Sequence, residues 1–591
     1  MRTGARSFVV DALLTLAAVL LVSGPLLFTK SGFERDFTNS LWMAWVAGKM
    51  LVEVGHPSLF INTTSLGVFY PLFAFYGGPL YALTGGVMEL FGGDAELAFV
   101  GITMLGITGA YGGTLWLGRQ LGLRDLSAHA AALTVITSAY LITNLYGRGA
   151  WVELMVTMAI PPLIASGVHL VRVDIWRPGP ILIFAMSMAL FTGGHNITLL
   201  WGTTIIAGAL LILWLAAGAP RRLPYRRFAM LGGLGLVSAS LNAWFLLPDI
   251  AYAGSTSIIH SVGASSIWVE SKEFNALSVV LDPLRRVPRE SGTTALYVQA
   301  PDWFLAWGLV AAALLLWRRT AAGALRRLWV AAIVIVALIL GMILIKQFWD
   351  LVSYPFTEIQ LPYRLGTYLF YSIAGLVLVG ALALQRFAAG GGSRRTVRGL
   401  RIALAAACAV SLGLCVWQLW VPNTLSGVYS YTDRNEALGS VNVTPKSWYA
   451  LAAYNDQRAP FVPVPGDRWL IINPRFVKGD RFAAWLNAPP GSQPIQTDIA
   501  TGTYLVHVSG LRVIGRDGEG FAVVQRVNGG SGPVHVVVET ADSAVIELGW
   551  IASIAAAVLM FLVLVFAGVR ARRTSASSAP ATAAYWPHPR P

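Results

Sequence analysis

Apolar residues in this chain run in long blocks separated by short basic segments, and that rhythm sets most of the reading. A block of roughly 20 apolar residues is what crosses about 30 Å of hydrocarbon. Spans are predicted at about 8–28, 95–117, 127–145, 151–171, 180–194, 197–216, 229–248, 304–317, 328–345, 365–385, 401–420 and 546–569. The first block follows a basic flank, Met1 to Arg6, but is long and lacks a small-residue cleavage site, so it reads as a retained span. The stretch Tyr70–Gly93 is apolar yet broken by Pro71, Gly77, Gly78, Pro79, Gly85, Gly86, Gly92 and Gly93. It is expected to be juxtamembrane or re-entrant, its broken backbone covered by protein or water. Asn39–Val54 before it is expected to form an amphipathic surface helix, with Glu53 and His56-Pro57 at its end.

With these spans, every basic cluster falls on one side: Arg119/Arg124, Arg172/Arg177, Arg221 to Arg227, Arg318 to Arg327, Arg394 to Arg401 and Arg570 to Arg573. Basic loops stay cytoplasmic. The N-terminus is therefore cytoplasmic, and the first outer loop is long (29–94).

Residues 422–545 change character. Turn pairs (Gly466-Asp467, Gly479-Asp480, Asp517-Gly518, Gly529-Gly530) separate alternating strands at Thr503–Val508, Phe521–Val527 and Val534–Glu539. The predicted fold class is an α-helical polytopic membrane protein of about 12 transmembrane helices. The helical domain covers 1–421, and a small extracytoplasmic β-rich domain (422–545) precedes the last helix (546–569) and a disordered cytoplasmic tail (570–591).

Composition agrees. Of 591 residues, 55% are hydrophobic and 12% charged, with a mean hydropathy of +0.62, whereas soluble chains carry about 25% charged residues. The net charge of +14 sits in the loop clusters, so it speaks for a membrane and against nucleic acid. Cys408 and Cys415 lie within one apolar helix and read as packing residues. No phosphate-cradling glycine loop, nucleotide-binding fingerprint or metal-ligand spacing is present.

Candidate chemistry gathers just outside the membrane: Arg35-Asp36 after the first span, Tyr146-Gly-Arg148-Gly-Ala-Trp-Val-Glu153 between the third and fourth, His195-Asn196 at a hairpin tip, and Glu358-Ile-Gln360-Leu-Pro-Tyr-Arg364 before the tenth. Ionisable residues against a bilayer are costly and usually face a cavity or a partner. Carboxylates accept protons from attacking hydroxyls, and guanidinium groups grip phosphate with forked hydrogen bonds. Each also has a plain alternative. Asp36 suits the N-cap of a helix starting near Asn39, Arg148 suits an ion pair with Glu153, His195 suits a helix end, and Arg364 suits an interfacial snorkel. Trp42, Trp45, Trp349, Tyr354 and Tyr363 read as interface anchors.

At these residues the sequence resembles a known group. The first span, Arg35-Asp36 and the long outer loop with Tyr70-Pro71-Leu72 resemble the GT-C superfamily of polytopic glycosyltransferases, in which an acid of the first outer loop is the usual base. Tyr146-Gly-Arg148-Gly…Glu153 is similar to an element of the 6-pyruvoyl-tetrahydropterin synthase-related membrane proteins and their YfhO-like relatives. Gln360-Leu-Pro-Tyr-Arg364 resembles their Gln-Phe-Pro-Trp-Arg motif, with Leu-Pro-Tyr in place of Phe-Pro-Trp.

The resemblance implies an inverting transferase in the plasma (inner) membrane, with its active site extracytoplasmic. It implies a polyprenyl-phosphate sugar as donor and an envelope glycan or glycolipid as acceptor. On that reading Asp36 is the base, and Arg148 and Arg364 hold the donor phosphate. Arg35, Tyr146, Glu153, His195, Glu358 and Gln360 support them. No cofactor is implied, apart from a possible divalent cation. The Ala-, Gly- and Arg-rich composition points to an actinobacterium, and in that setting the resemblance implies decaprenyl-phosphate arabinose or mannose as donor. Two other readings stay open: a transporter or flippase for a lipid-linked precursor, and a non-catalytic assembly protein of envelope biogenesis.

Overall fold

The computed structural model describes residues 2–28, 35–63, 67–123, 126–147, 149–218, 224–252, 308, 323–353, 356–359, 362–389 and 393–420. It also describes 461–577, except for short gaps at 465–468, 473–476, 479, 492, 501–505, 518–520, 529 and 541–542. Among these, eight helices are long and apolar enough to cross a membrane, and two bent pairs bring the number to ten. A shorter apolar helix, Pro178–Gly193, occupies the position of a further expected span. The expected span at 304–317 lies almost wholly outside the described residues.

The chain opens with α1 (Arg2–Phe28) and α2 (Arg35–Val54), followed by the hairpin β1 (Ile61–Thr63) and β2 (Gly67–Tyr70), then α3 (Leu72–Phe75) and α4 (Gly78–Leu90). At 13 residues, α4 is about 20 Å long, which is short of a membrane span. It packs against α2 where two glycines meet. A Cβ on Gly85 would lie 2.6 Å from Gly48 Cα and 2.8 Å from the Ala44 carbonyl oxygen, so the two backbones touch directly.

Next come α5 (Ala95–Gln120), capped by Asp94, which accepts the Leu97 amide at 3.0 Å, and α6 (Leu126–Ile136) with α7 (Ala139–Ile142) and a π turn at Thr143–Gly147. The fourth span is α8 (Trp151–Met158) and α9 (Ile160–Arg172), followed by α10 (Pro178–Gly193) and α11 (Asn196–Ala216).

Two spans expected to be straight are bent. Leu126–Ile136 and Tyr140–Tyr146 meet at 44°, and α12 (Tyr225–Ser240) meets α13 (Ala243–Tyr252) at 79°. At the second break the Asn242 amide donates to the Ala189 carbonyl (2.6 Å) and to Thr192 Oγ1 (3.0 Å) on α10. These bonds tie the break to α10.

The remaining helices are α14 (Gly323–Leu344), α15 (Lys346–Leu351), α16 (Gly366–Ala389), α17 (Arg394–Trp420) and α18 (Ala544–Ser577). The last helix packs on α13, where Trp244 N–H donates to Ser553 Oγ at 3.0 Å.

The basic segments collect at one end of the bundle. Arg172 donates to the Gln120 carbonyl (2.8 Å), Arg227 to those of Val171 and Arg172 (3.0 and 3.3 Å), and Arg327 to that of Ala216 (2.8 Å). At the same end Arg119 holds Asp11 with two hydrogen bonds, of 2.6 and 3.1 Å. His129 joins Asp11 at 3.0 Å and Tyr111 at 2.8 Å.

Between α17 and α18 stand two small sheets. One has the order β3-β5-β8-β7, built from Trp469–Leu470, Ile495–Thr497, Ala522–Arg526 and Leu511–Arg516. The other has the order β4-β9-β6, built from Arg481–Asn487, Pro533–Thr540 and Val506–Ser509. In β9 the alternation expected from Val534–Glu539 turns Val536 and Val538 into the core.

The first outer loop is stitched to these sheets. Val68 N–H donates to the Asp498 carbonyl (2.9 Å), and Ala500 N–H donates back to Val68 O (2.8 Å). Gly67, at φ +87°, sits so close to Asp498 that no Cβ would fit.

Candidate functional site

Two charged residues from separate motifs meet at the end of the bundle opposite the basic loops. Arg364 lies in the turn Pro362–Leu365 that starts the tenth expected span, and Glu153 lies in the first turn of α8. Arg364 Nε is 3.8 Å from Glu153 Oε2, and the two side chains are 14% and 4% exposed.

The carboxylate is further held by donors from the bent third span. Tyr140 O–H reaches Glu153 Oε1 at 2.5 Å, and Asn144 Nδ2 reaches the same oxygen at 3.2 Å. The Tyr140 ring packs against that of Tyr363, with centroids 6.2 Å apart. A buried carboxylate bonded by an aromatic hydroxyl and an amide, and facing a guanidinium, is a rigid electrostatic unit. It holds the Arg364 side chain against the Glu153 carboxylate.

A second set of contacts ties the first outer loop to this region. Tyr81 O–H donates to Ser40 Oγ at 3.2 Å. Ser40 is four residues after Asp36 on α2, hence on the same helix face. The Tyr81 ring also packs on Trp151 (5.6 Å), which stacks on Phe99 (4.3 Å) and donates its indole N–H to Thr103 Oγ1 at 2.8 Å. Ser40 of α2 and Trp151 at the entrance of α8 therefore share a contact through Tyr81.

His195 caps α11. Its Nδ1 accepts the Thr198 amide at 3.2 Å and lies 2.8 Å from Thr198 Oγ1, while its ring meets Tyr76 edge to face at 5.9 Å. Asn196 Nδ2 donates to the Phe75 carbonyl at 3.3 Å, closing α3 onto the hairpin tip.

Several expectations are corrected. Glu153 meets Arg364 across helices, a pairing the sequence did not suggest; the alternative of a local ion pair with Arg148 falls on a residue outside the described ones. Asp36 lies within the first turn of a helix that already begins at Arg35, so it is not the N-cap of a helix starting near Asn39. Tyr146 is a tether, donating its hydroxyl to the Val22 carbonyl of α1 at 2.7 Å. Trp42, Trp349 and Tyr363 are buried at 8%, 0% and 7% exposure, so these aromatics pack inside and do not anchor at the interface. Arg148 and Gln360 lie outside the described residues, as do the side chains of Arg35, Asp36 and Glu358.

Sequence reasoning missed Tyr140 and Asn144. Their signal was a Tyr and an Asn four apart, near the outer end of a span whose other polar residues are small hydroxyls and one histidine. It also missed Asp11, a lone acid in the first span.

In the outer domain, burial pushes the Asp498 carboxyl up to about 6, against the stabilising Ile472 N–H that it accepts at 2.9 Å. Among the described residues no group of three or more His, Cys, Asp or Glu is arranged to hold a metal ion.

No family model matches the chain, and no curated protein matches it. Two solved structures overlap it at low similarity. One is the cryo-EM structure of arabinofuranosyltransferase AftD from mycobacteria, at 17% identity and a TM-score of 0.43 over 70% of this chain. This chain spans 27% of the length of that protein. The other is the crystal structure of ArnT from Cupriavidus metallidurans in the apo state, at 13% identity and a TM-score of 0.36, covering 90% of this chain and 100% of that one. Neither overlap is close enough to assign a fold or an activity to this chain.

Proposed function

We propose that the chain is a GT-C-type membrane glycosyltransferase that moves a sugar from a polyprenyl-phosphate donor to an envelope glycan or glycolipid outside the plasma membrane. Asp36 takes the proton of the acceptor hydroxyl as its oxygen attacks the anomeric carbon. The bond from that carbon to the phosphate oxygen breaks, and polyprenyl phosphate leaves with the electron pair, inverting the centre. Arg148 and Arg364 receive the negative charge that grows on the phosphate. That role needs no cofactor; a divalent cation held by the acids of the first outer loop would serve the same electrostatic purpose.

The observation that carries this reading is the buried Glu153–Arg364 unit at the end of the bundle opposite the basic loops. It supports this reading by holding the Arg364 guanidinium at that end; on this reading the guanidinium is what meets the lipid phosphate. The arabinose or mannose donor and the actinobacterial setting remain those implied by the resemblance and the composition.

A second reading draws on the same contact. A guanidinium already facing a carboxylate is what an assembly protein would use as a structural strut. Turnover separates the two. Membranes bearing the chain, supplied with polyprenyl-phosphate sugars and acceptor glycan, should transfer sugar, and Asp36→Asn, correctly inserted, should transfer none. Transfer by Asp36→Asn at the wild-type rate removes the base. Absence of transfer by the wild type with every donor supplied favours the strut.

A further inference from the structure

On the outer face, the loop leaving α2, the turn before β4, the end of β9 and the first turns of α18 enclose a cavity of about 220 Å³. Its walls carry His56, Asp480, Thr540, Glu547 and Trp550, three segments of chain brought together by the docking of the outer domain. The aromatic wall is fixed: Trp550 stacks on Trp244 (5.2 Å, 14°) and meets His56 at 5.5 Å and 71°. His56 Nε2 lies 3.8 Å from Asp480 Oδ2. Among the described residues Thr540 Oγ1 is buried with no hydrogen-bond partner, which is costly for a hydroxyl unless another polar group meets it.

The space exceeds that of a single water, about 30 Å³, and suits one small ring. Among the described residues no lysine or arginine lines it, so it disfavours phosphate and other anions. Two carboxylates accept hydroxyl protons, a threonine hydroxyl donates or accepts, and an indole with an imidazole offers a flat apolar wall for C–H groups. That combination matches a neutral sugar.

We infer that this cavity binds one unit of a neutral glycan. The inference rests on the transferase reading only in taking that glycan to be the acceptor. The 20 residues of α2, about 30 Å long, separate the turn of Asp36 from His56. The unit held here is therefore several sugars away from the reacting hydroxyl, and the site grips the chain and not its end.

The test is binding of linear neutral hexasaccharides, of hexopyranose or pentofuranose units, to the full chain in nanodiscs without donor lipid. Saturable binding is expected with at least one series, tighter than for the monosaccharides. Glu547→Gln and Asp480→Asn should each weaken it at least tenfold. Thr540→Val, which keeps the side-chain shape, should weaken it severalfold, while all three variants elute as the wild type on size exclusion. Asp36→Asn should bind as the wild type does.

No saturable binding of any series, unchanged affinity in the variants, or displacement of sugar by choline or ethanolamine would overturn the site. Transfer activity without sugar binding defeats this inference alone, and binding without transfer defeats the functional reading alone.

Discussion

Glu153 illustrates what a single residue can and cannot reveal. A carboxylate at the entrance of an apolar helix was legible as exceptional, because burying a charge is costly without a partner. Its partner was not legible: spacing suggested Arg148, whereas Arg364 arrives from a distant segment, and Tyr140 and Asn144 come from a span whose bend has no strong local signature. Removing one member of a buried pair strands the other, so Glu153→Ala should lower stability by about 3 kcal/mol. Glu153→Gln, able to keep the Tyr140 bond, should cost less. The double replacement with Arg364→Gln should cost less than the sum of the singles, measured by thermal unfolding in detergent; strict additivity would show that the two groups do not interact.

Asp498 gives a pH prediction of definite sign. Its carboxyl titrates near 3.8 when unfolded and about 6 when folded, so between those values the folded state holds a proton that the unfolded state has lost. Stability therefore falls as pH rises through that window, and the full cost is present above about 6. Asp498→Asn can still accept the Ile472 amide. It should raise the unfolding temperature at pH 7.5 and leave it unchanged below pH 4. Equal effects at both pH values would contradict a titrating carboxyl.

Among the elements, the positions of the spanning helices were legible, though α14 and α17 start five and seven residues before the predicted spans and α18 runs eight residues past its predicted end. α5 and α8–α9 begin where their apolar runs begin, because in lipid every backbone group must be satisfied within the helix. Breaks were less legible. At the 79° turn after α12, Asn242 reaches α10 through a tertiary contact absent from any local window. The outer strands were read in part: β6, β8 and β9 overlap the predicted runs, while β3, β4, β5 and β7 did not stand out, although turn pairs adjoin β4 and β7.

The α2–α4 crossing yields an element-scale prediction. Gly85→Ala drives a methyl group into the backbone of Gly48, so the helices must separate, at a cost of about 1–3 kcal/mol. The helix bearing Asp36 then shifts. Loss of thermal stability and of transfer together is expected. Gly101→Ala on α5, where an added Cβ meets nothing within 4 Å, should be neutral or slightly stabilising. Indistinguishable behaviour of the two variants would refute the close crossing.

For the molecule as a whole, charge and hydropathy already implied two different ends. The basic loops meet at one, with Arg172, Arg227 and Arg119 in contact with neighbouring segments. The Glu153–Arg364 unit, the His195 tip and the sheets lie at the other. What the sequence pattern could not supply was the mutual arrangement of the four polar motifs, since that depends on how the helices pack.

The most direct test of the account is an experimental map of the full chain in nanodiscs with polyprenyl phosphate. The account predicts phosphate density bonded to Arg364 and Arg148 with the Asp36 carboxylate facing it across a sugar-sized gap. Asp36 and the two arginines facing separate surfaces, with the lipid bound elsewhere, would contradict it.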